Sequence, residues 1–146
     1  MVSLIKNKKH SMEMIAIKRK FIDELGIKYT DTPQGWCSNE DDPRMKNWKK
    51  EREEWGFDSR ETWNLDYSFY LWLYERLKVY NKYNIIDTTF HTFKYKDTIL
   101  TLQECIDCML ANLEIYLTDQ YQDSQEYDIL EEIIGLFSLT IFYLWW

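Results

Sequence analysis

Three cysteines and two histidines are the side chains of this 146-residue chain suited to binding a soft metal or cycling between thiol and disulfide. Two of them, Cys105 and Cys108, stand in a C-x-x-C spacing. Structural zinc takes four ligands, and beyond the pair only Cys37, His10 and His91 remain, none in a second paired spacing. A redox pair sits at the first turn of a helix. Here Thr101 and Glu104 form a capping box that puts both cysteines a full turn inside. They read as small apolar side chains on a mostly buried helix face, with no metal and no cofactor. An odd cysteine count without a leader peptide fits reduced thiols in a cytosol.

Carboxylates are the second source of chemistry. Glu126, Asp128, Glu131 and Glu132 resemble, loosely, the acidic helices of all-α nucleotide pyrophosphohydrolases, but a divalent ion there needs a second acidic helix opposite the first. Glu51, Glu53 and Glu54 are the other concentration, and they interleave with Lys46, Lys49, Lys50 and Arg52, which is the pattern of surface i to i+4 pairing. There is no Gly-rich phosphate loop, no G-x-S-x-G and no H-E-x-x-H. His91 has no Ser or Cys partner that spacing identifies, so no catalytic residue is assigned. Charge itself is divided. Residues 1–96 hold all 18 Lys and Arg with 15 acids, whereas residues 97–146 hold ten acids and no Lys or Arg.

Aromatic residues make up 17% of the chain against four Gly and two Pro, which points to helices packed through rings. The expected fold is mainly α: a single-domain bundle of four or five helices over residues 11–146, with a small hairpin or extended element near 85–100, preceded by a flexible basic arm at 1–10. Ser11 opens a helix that Gly26 ends. A polar loop follows, pinned by Trp36, and Asp42-Pro43 starts the next helix, which stops at Gly56. The central element is expected over Phe57–Tyr83, capped by Asp58 with Glu61 reaching back. Its apolar residues spread widely around the axis, so it should be touched on two sides. Lys96-Asp97 turns between two short strands, Thr101 opens a helix to Leu117, and the last helix spans Glu126–Trp146. The stretch Ile133–Trp146 is uncharged but shorter than the roughly 20 residues a membrane span needs.

Gly56–Tyr80, GFDSRETWNLDYSFYLWLYERLKVY, together with the preceding NEDDPRMKNWKKEREEW and the closing LFSLTIFYLWW, resembles a recurrent set of small proteins encoded by phages and prophages of Gram-positive bacteria. Those proteins share a GF-x-x-x-ETW-x-LD core, a W-K-x-E-R stretch before it and an apolar end rich in tryptophan. The resemblance covers about two thirds of the chain. Many members carry Leu-Pro-Arg-Leu where this chain has Tyr74-Glu75-Arg76-Leu77, so its helix is expected to run straighter. A setting is implied, the cytoplasm of an infected host, and no catalytic residues come with it.

The sequence therefore points first to a non-enzymatic phage accessory protein that binds a host protein with a basic surface, inhibiting a bacterial defence system through its acidic C-terminal region. No direct nucleic-acid contact and no membrane are expected. The alternative is a nucleotide-binding protein with an aromatic pocket, and a metal-dependent nucleotide hydrolase comes third. The contact candidates are Arg60, Trp63, Asn64, Asp66, Arg76, Asp119, Asp123, Glu126, Asp128, Glu131 and Glu132. Asn64 and Asp66 are expected to be buried hydrogen-bond partners of Arg60, Arg76 or an indole N–H. A homodimer is expected through Leu136, Leu139, Phe142, Tyr143 and Trp146.

Overall fold

Helix α1 runs Met45–Trp55 and stops where glycine lets the backbone turn left-handed: Gly56 has φ 83°, and its N–H donates to the Arg52 carbonyl. This is seen in a computed structural model that describes residues 39–145. The basic arm, the Ser11 helix, Trp36, Cys37 and Trp146 lie outside the described residues. After Gly56 the chain departs from the expected single long helix. Asp58 accepts from the Arg60 backbone N–H, but it caps one 3-10 turn, Ser59–Thr62, and the helix proper, α2, starts at Leu65 and runs to Tyr83. The Glu61 side chain does not close a capping box, because it is drawn to Arg52 at 2.8 Å. Asn64, at φ −136° and ψ 79°, breaks the helical path between the two pieces. From Leu65 onward α2 is continuous through Glu75.

The hairpin expected near 85–100 is present. Strand β1 (Thr92–Tyr95) pairs antiparallel with β2 (Thr98–Thr101), Phe93 opposite Leu100 and Lys94 opposite Ile99. Lys96 makes the turn at φ 52°. Period-two alternation sends Phe93, Tyr95 and Leu100 toward the core and leaves Lys94 and Ile99 outside. Thr101 then caps α3, Leu102–Leu117, through the expected box with Glu104. A turn in which Asp119 takes φ 53° leads to α4, Asp123–Thr140, which begins three residues earlier than the acidic run indicates because Gln122 and Gln125 form the box there.

The middle of the bundle is α3 rather than the aromatic helix. It packs on α2 along one side and on α4 along another. Leu102, Cys105, Ile106, Met109, Leu113 and Leu117 are wholly buried, while Leu65 and Trp72 of α2 are exposed. The physical reason is side-chain type. The wide apolar arc of α2 consists largely of tyrosines, whose rings bury while their hydroxyls seek acceptors at the edges. Tyr74 Oη donates to Glu114 at 3.2 Å, and Tyr67 Oη donates to the Leu117 carbonyl at 3.4 Å. Methyl-bearing side chains without such a tether fill the centre.

The chain end also differs from expectation. Helix α4 stops at Thr140, where the buried hydroxyl donates back to the Leu136 carbonyl at 2.8 Å. A short 3-10 turn, Ile141–Tyr143, follows. The apolar run is therefore not enclosed on every side: Phe142 is 85% exposed and Trp145 66%.

Candidate functional site

Two places gather the polar and aromatic side chains that the sequence singles out. The first is the corner between α1 and α2. Gly56 reverses the chain so that Arg52, in the last turn of α1, faces Asp58 and Glu61 of the 3-10 turn. Asp58 is wholly buried. Arg52 Nη2 donates to its Oδ2 at 2.7 Å, Arg60 Nε to Oδ1 at 2.9 Å and Arg60 Nη2 to Oδ2 at 2.9 Å. The Arg60 backbone N–H adds a further bond to Oδ1 at 3.1 Å. Burial pushes the carboxyl upward, but the hydrogen bonds and charges of Arg60 and Arg52 outweigh it and hold the group below the usual carboxylate range. Glu51 accepts from the Ser59 backbone N–H at 2.7 Å, and Ser68 Oγ of α2 donates to the Glu61 carbonyl at 2.7 Å, which ties the corner to both helices.

Above this carboxylate lies a stack of cations and indoles. Arg60 sits 4.7 Å and Arg44 4.9 Å from the Trp48 ring centre, and Arg44 is 5.7 Å from Trp63. Trp63 meets Trp48 edge-on at 5.6 Å. Trp48 is buried, but Trp63 is 48% exposed, so it is the outer plate of the stack. Asp58 accepts at both oxygens from guanidinium donors, which hold it as the carboxylate near pH 7. Arg60 is committed to Asp58 and Trp48.

The expected Asn64–Asp66 network does not form. Asp66 is exposed in the first turn of α2, where a carboxylate favours the helix dipole, and Asn64 is half-buried with no side-chain cap bond. The two arginines expected to reach them are engaged elsewhere. Arg60 holds Asp58, while Arg76 lies 4.6 Å over Trp72 and pairs with Glu75 at 3.6 Å. Among the described residues the buried carboxylate is Asp58. The signal for it was an arginine one turn before a helix-ending glycine, followed by Asp and, two residues on, a second Arg.

The second place is the outer surface of α3 and α4. Asp119 in the connecting turn, with Asp123, Asp128 and Glu131 on α4, is exposed. Glu126 and Glu132 are half-buried: Glu126 accepts from Tyr121 Oη at 3.4 Å and Glu132 from Asn112 Nδ2 at 2.8 Å. Tyr127 at 74% and Ile134 at 43% exposure stand among these acids. A cleft of about 530 Å³ between the α3–α4 turn and the hairpin turn is lined by Lys96, Tyr121, Gln125, Asp128 and Glu132. Among the described residues no three His, Cys, Asp or Glu side chains come together in a way that would hold a metal ion. The α4 acids and Glu51, Glu53 and Glu54 of α1 do not form the two facing acidic helices that the hydrolase alternative requires. Burial pushes the Cys105 thiol up to about 11 and also raises Cys108, so both are neutral near pH 7.

Of the residues expected at a dimer interface, Leu136 is in the core of one chain and is removed from that set. Leu139, Phe142 and Tyr143 are at least one-third exposed, and Trp146 lies outside the described residues. Comparison of the chain with family models, with curated proteins and with solved structures finds no match.

Proposed function

We propose that this chain is a non-enzymatic accessory protein of a phage that acts in the host cytoplasm by docking the acid-bearing face of α3 and α4 on a basic surface of a host protein, a defence component being the expected class of target. The observation that carries this reading is the charge division: no Lys or Arg occurs after residue 96, and Asp119, Asp123, Asp128 and Glu131 project beside exposed Tyr127 and Ile134. Carboxylates steer association with a basic partner, and the exposed ring and aliphatic side chain supply contact area once it is formed. Binding is favoured over catalysis because, among the described residues, the buried carboxylate, Asp58, is held by two guanidinium groups and the Cys105 and Cys108 thiols are neutral. The nucleotide alternative is weaker, since guanidinium groups of the chain itself already stack on Trp48, Trp63 and Trp72. Along α4, at 1.5 Å per residue, Asp128 is about 20 Å from Phe142, and Glu131 is about 12 Å from Leu139. Binding a host protein is therefore compatible with self-association.

The test is capture of a partner from host lysate by the full chain at low and high salt, beside the double variant Asp128→Lys, Glu131→Lys. The expected outcome is a partner held at low salt, released at high salt and not held by the variant. A partner held equally by the double variant would sink the reading.

A further inference from the structure

Among the described residues, the aromatic end of the molecule is a large apolar surface whose exposure the acid-face proposal does not use. It is built from two distant stretches. Tyr143, in the turn after α4, packs its ring against His91 at 4.8 Å and Phe93 at 5.0 Å, and Phe90 meets His91 at 5.1 Å. Tyr80 Oη anchors the following segment by donating to the Trp145 carbonyl at 3.4 Å. The backbone there is therefore held in place while its rings point outward. Phe90 is 76% exposed, Phe142 85%, Trp145 66% and Tyr143 36%, with Leu139 at 37% and Ile141 at 45% beside them. At about 200 Å² per aromatic side chain, the four rings alone leave roughly 500 Å² in water. That is near the upper end of what a monomer exposes as its largest patch.

We propose that a second copy of this chain covers this surface, with Phe90 and Phe142 at the centre of a twofold contact. The proposal rests on the self-association compatible with the reading above, but not on the acid face. With Leu139 and Ile141 included, two copies together remove on the order of 1,200 Å² or more from water, which reaches the range of specific interfaces. A twofold axis pairs the patch with itself, so ring meets ring without any new surface chemistry. Residues 133–146 carry no charged side chain to oppose the approach. The last acid of α4, Glu132, is ten residues before Phe142 and so about 15 Å from it along the axis, beyond the screening length of about 8 Å at physiological salt. A lipid surface is the poorer occupant, because ten acids without a single Lys or Arg in residues 97–146 repel the anionic headgroups that hold amphipathic segments.

Light scattering on the full chain at tens of micromolar tests this, together with the double variant Phe90→Asp, Phe142→Asp and two controls at exposed apolar positions elsewhere, Ile99→Lys and Tyr127→Ser. Both phenylalanines are more than three-quarters exposed, so the variant should keep its far-ultraviolet circular dichroism and a cooperative urea transition as a monomer. The expected result is twice the chain mass for the parent and both controls, and the chain mass for the double variant. A parent of monomer mass overturns the proposal, as does a dimer that survives the double variant or is lost in either control. If the parent is a monomer in which Trp145 is shielded from acrylamide quenching, the cover is residues 1–38 and not a second copy. The variant Asp128→Lys, Glu131→Lys should remain dimeric, so failure of the acid-face reading and failure of this one are told apart.

Discussion

In the segment from Arg44 to Trp63, two indoles are held between guanidinium groups over a buried carboxylate; in α2, α3 and α4, five buried tyrosines pack against leucine, isoleucine and methionine with scarcely an ion among them. The first region is assembled from few groups, each with several directional partners. The second is assembled from many contacts that are individually weak and collectively large. Removal of one member should therefore act differently in the two. A lost methylene stack in the core leaves a cavity that neighbours only partly fill, whereas a lost ion in the corner leaves its partners with unmet charge.

The largest effect is expected from Leu113→Ala, at the centre of α3 with no exposed surface. Urea unfolding should show a loss of about 3 to 4 kcal/mol, within the range for emptying a buried leucine site. A loss below about 1 kcal/mol would place the centre of the core elsewhere.

Next comes Asp58→Ala, which strands Arg60 and part of Arg52. About 2 to 3 kcal/mol is expected, reduced from the fully buried case because Arg52 is 45% exposed and can turn to Glu61 or water. The distinguishing readout is hydrogen exchange. Protection should fall in α1 while α3 keeps its own, because the corner can open as a local unit. Acid should reproduce this. Asp58 has a lowered folded pKa, so its contribution is complete above the unfolded value of about 3.9 and is lost as pH falls through the folded value. Tryptophan fluorescence is expected to report opening of the Trp48–Trp63 stack below about pH 4 before helical circular dichroism declines. Simultaneous loss of both signals would mean that the corner and the core are one cooperative unit.

A smaller effect is expected from Trp63→Ala, about 1 kcal/mol, because nearly half of this side chain is already in water. A fully buried tryptophan would imply several times that loss. What was legible was whatever depends on local chemistry: the capping box at Thr101, the glycine stop at 56, the Lys96-Asp97 turn and the mostly buried face of α3 that carries Cys105 and Cys108. What was not legible depends on pairing across the chain. Asp58 reads as a helix cap from its neighbours alone, and only the return of α1 brings Arg52 to it. Leu136 and Phe142 both read as apolar residues of one helix, and only the end of α4 at Thr140 puts one in the core and the other in water. The ten acids after residue 96 were visible as a count, while the split between exposed Asp128 and Glu131 and the partnered Glu126 and Glu132 was not.

The smallest effect sharpens the comparison at the seam between hairpin and bundle. Gly135 lies in α4 opposite Tyr95 of β1, and a Cβ added there would meet Tyr95 Cε2 at 2.8 Å and its hydroxyl oxygen at 2.9 Å. Alanine in a helix is favoured over glycine by about 1 kcal/mol. Gly135→Ala should therefore gain that amount and lose a similar amount by driving the half-buried Tyr95 ring outward, leaving stability within about 0.5 kcal/mol of the parent. With Tyr95→Ala already in place the obstruction is gone, and the same substitution should stabilise by about 1 kcal/mol. The difference between those two measurements is the coupling across the seam, read from a double-mutant cycle in urea. A cycle that closes to zero would mean the hairpin does not rest on Gly135. A coupling near 1 kcal/mol would show that the glycine is there for Tyr95's close approach, a directional contact of the corner's kind set into the apolar half of the molecule.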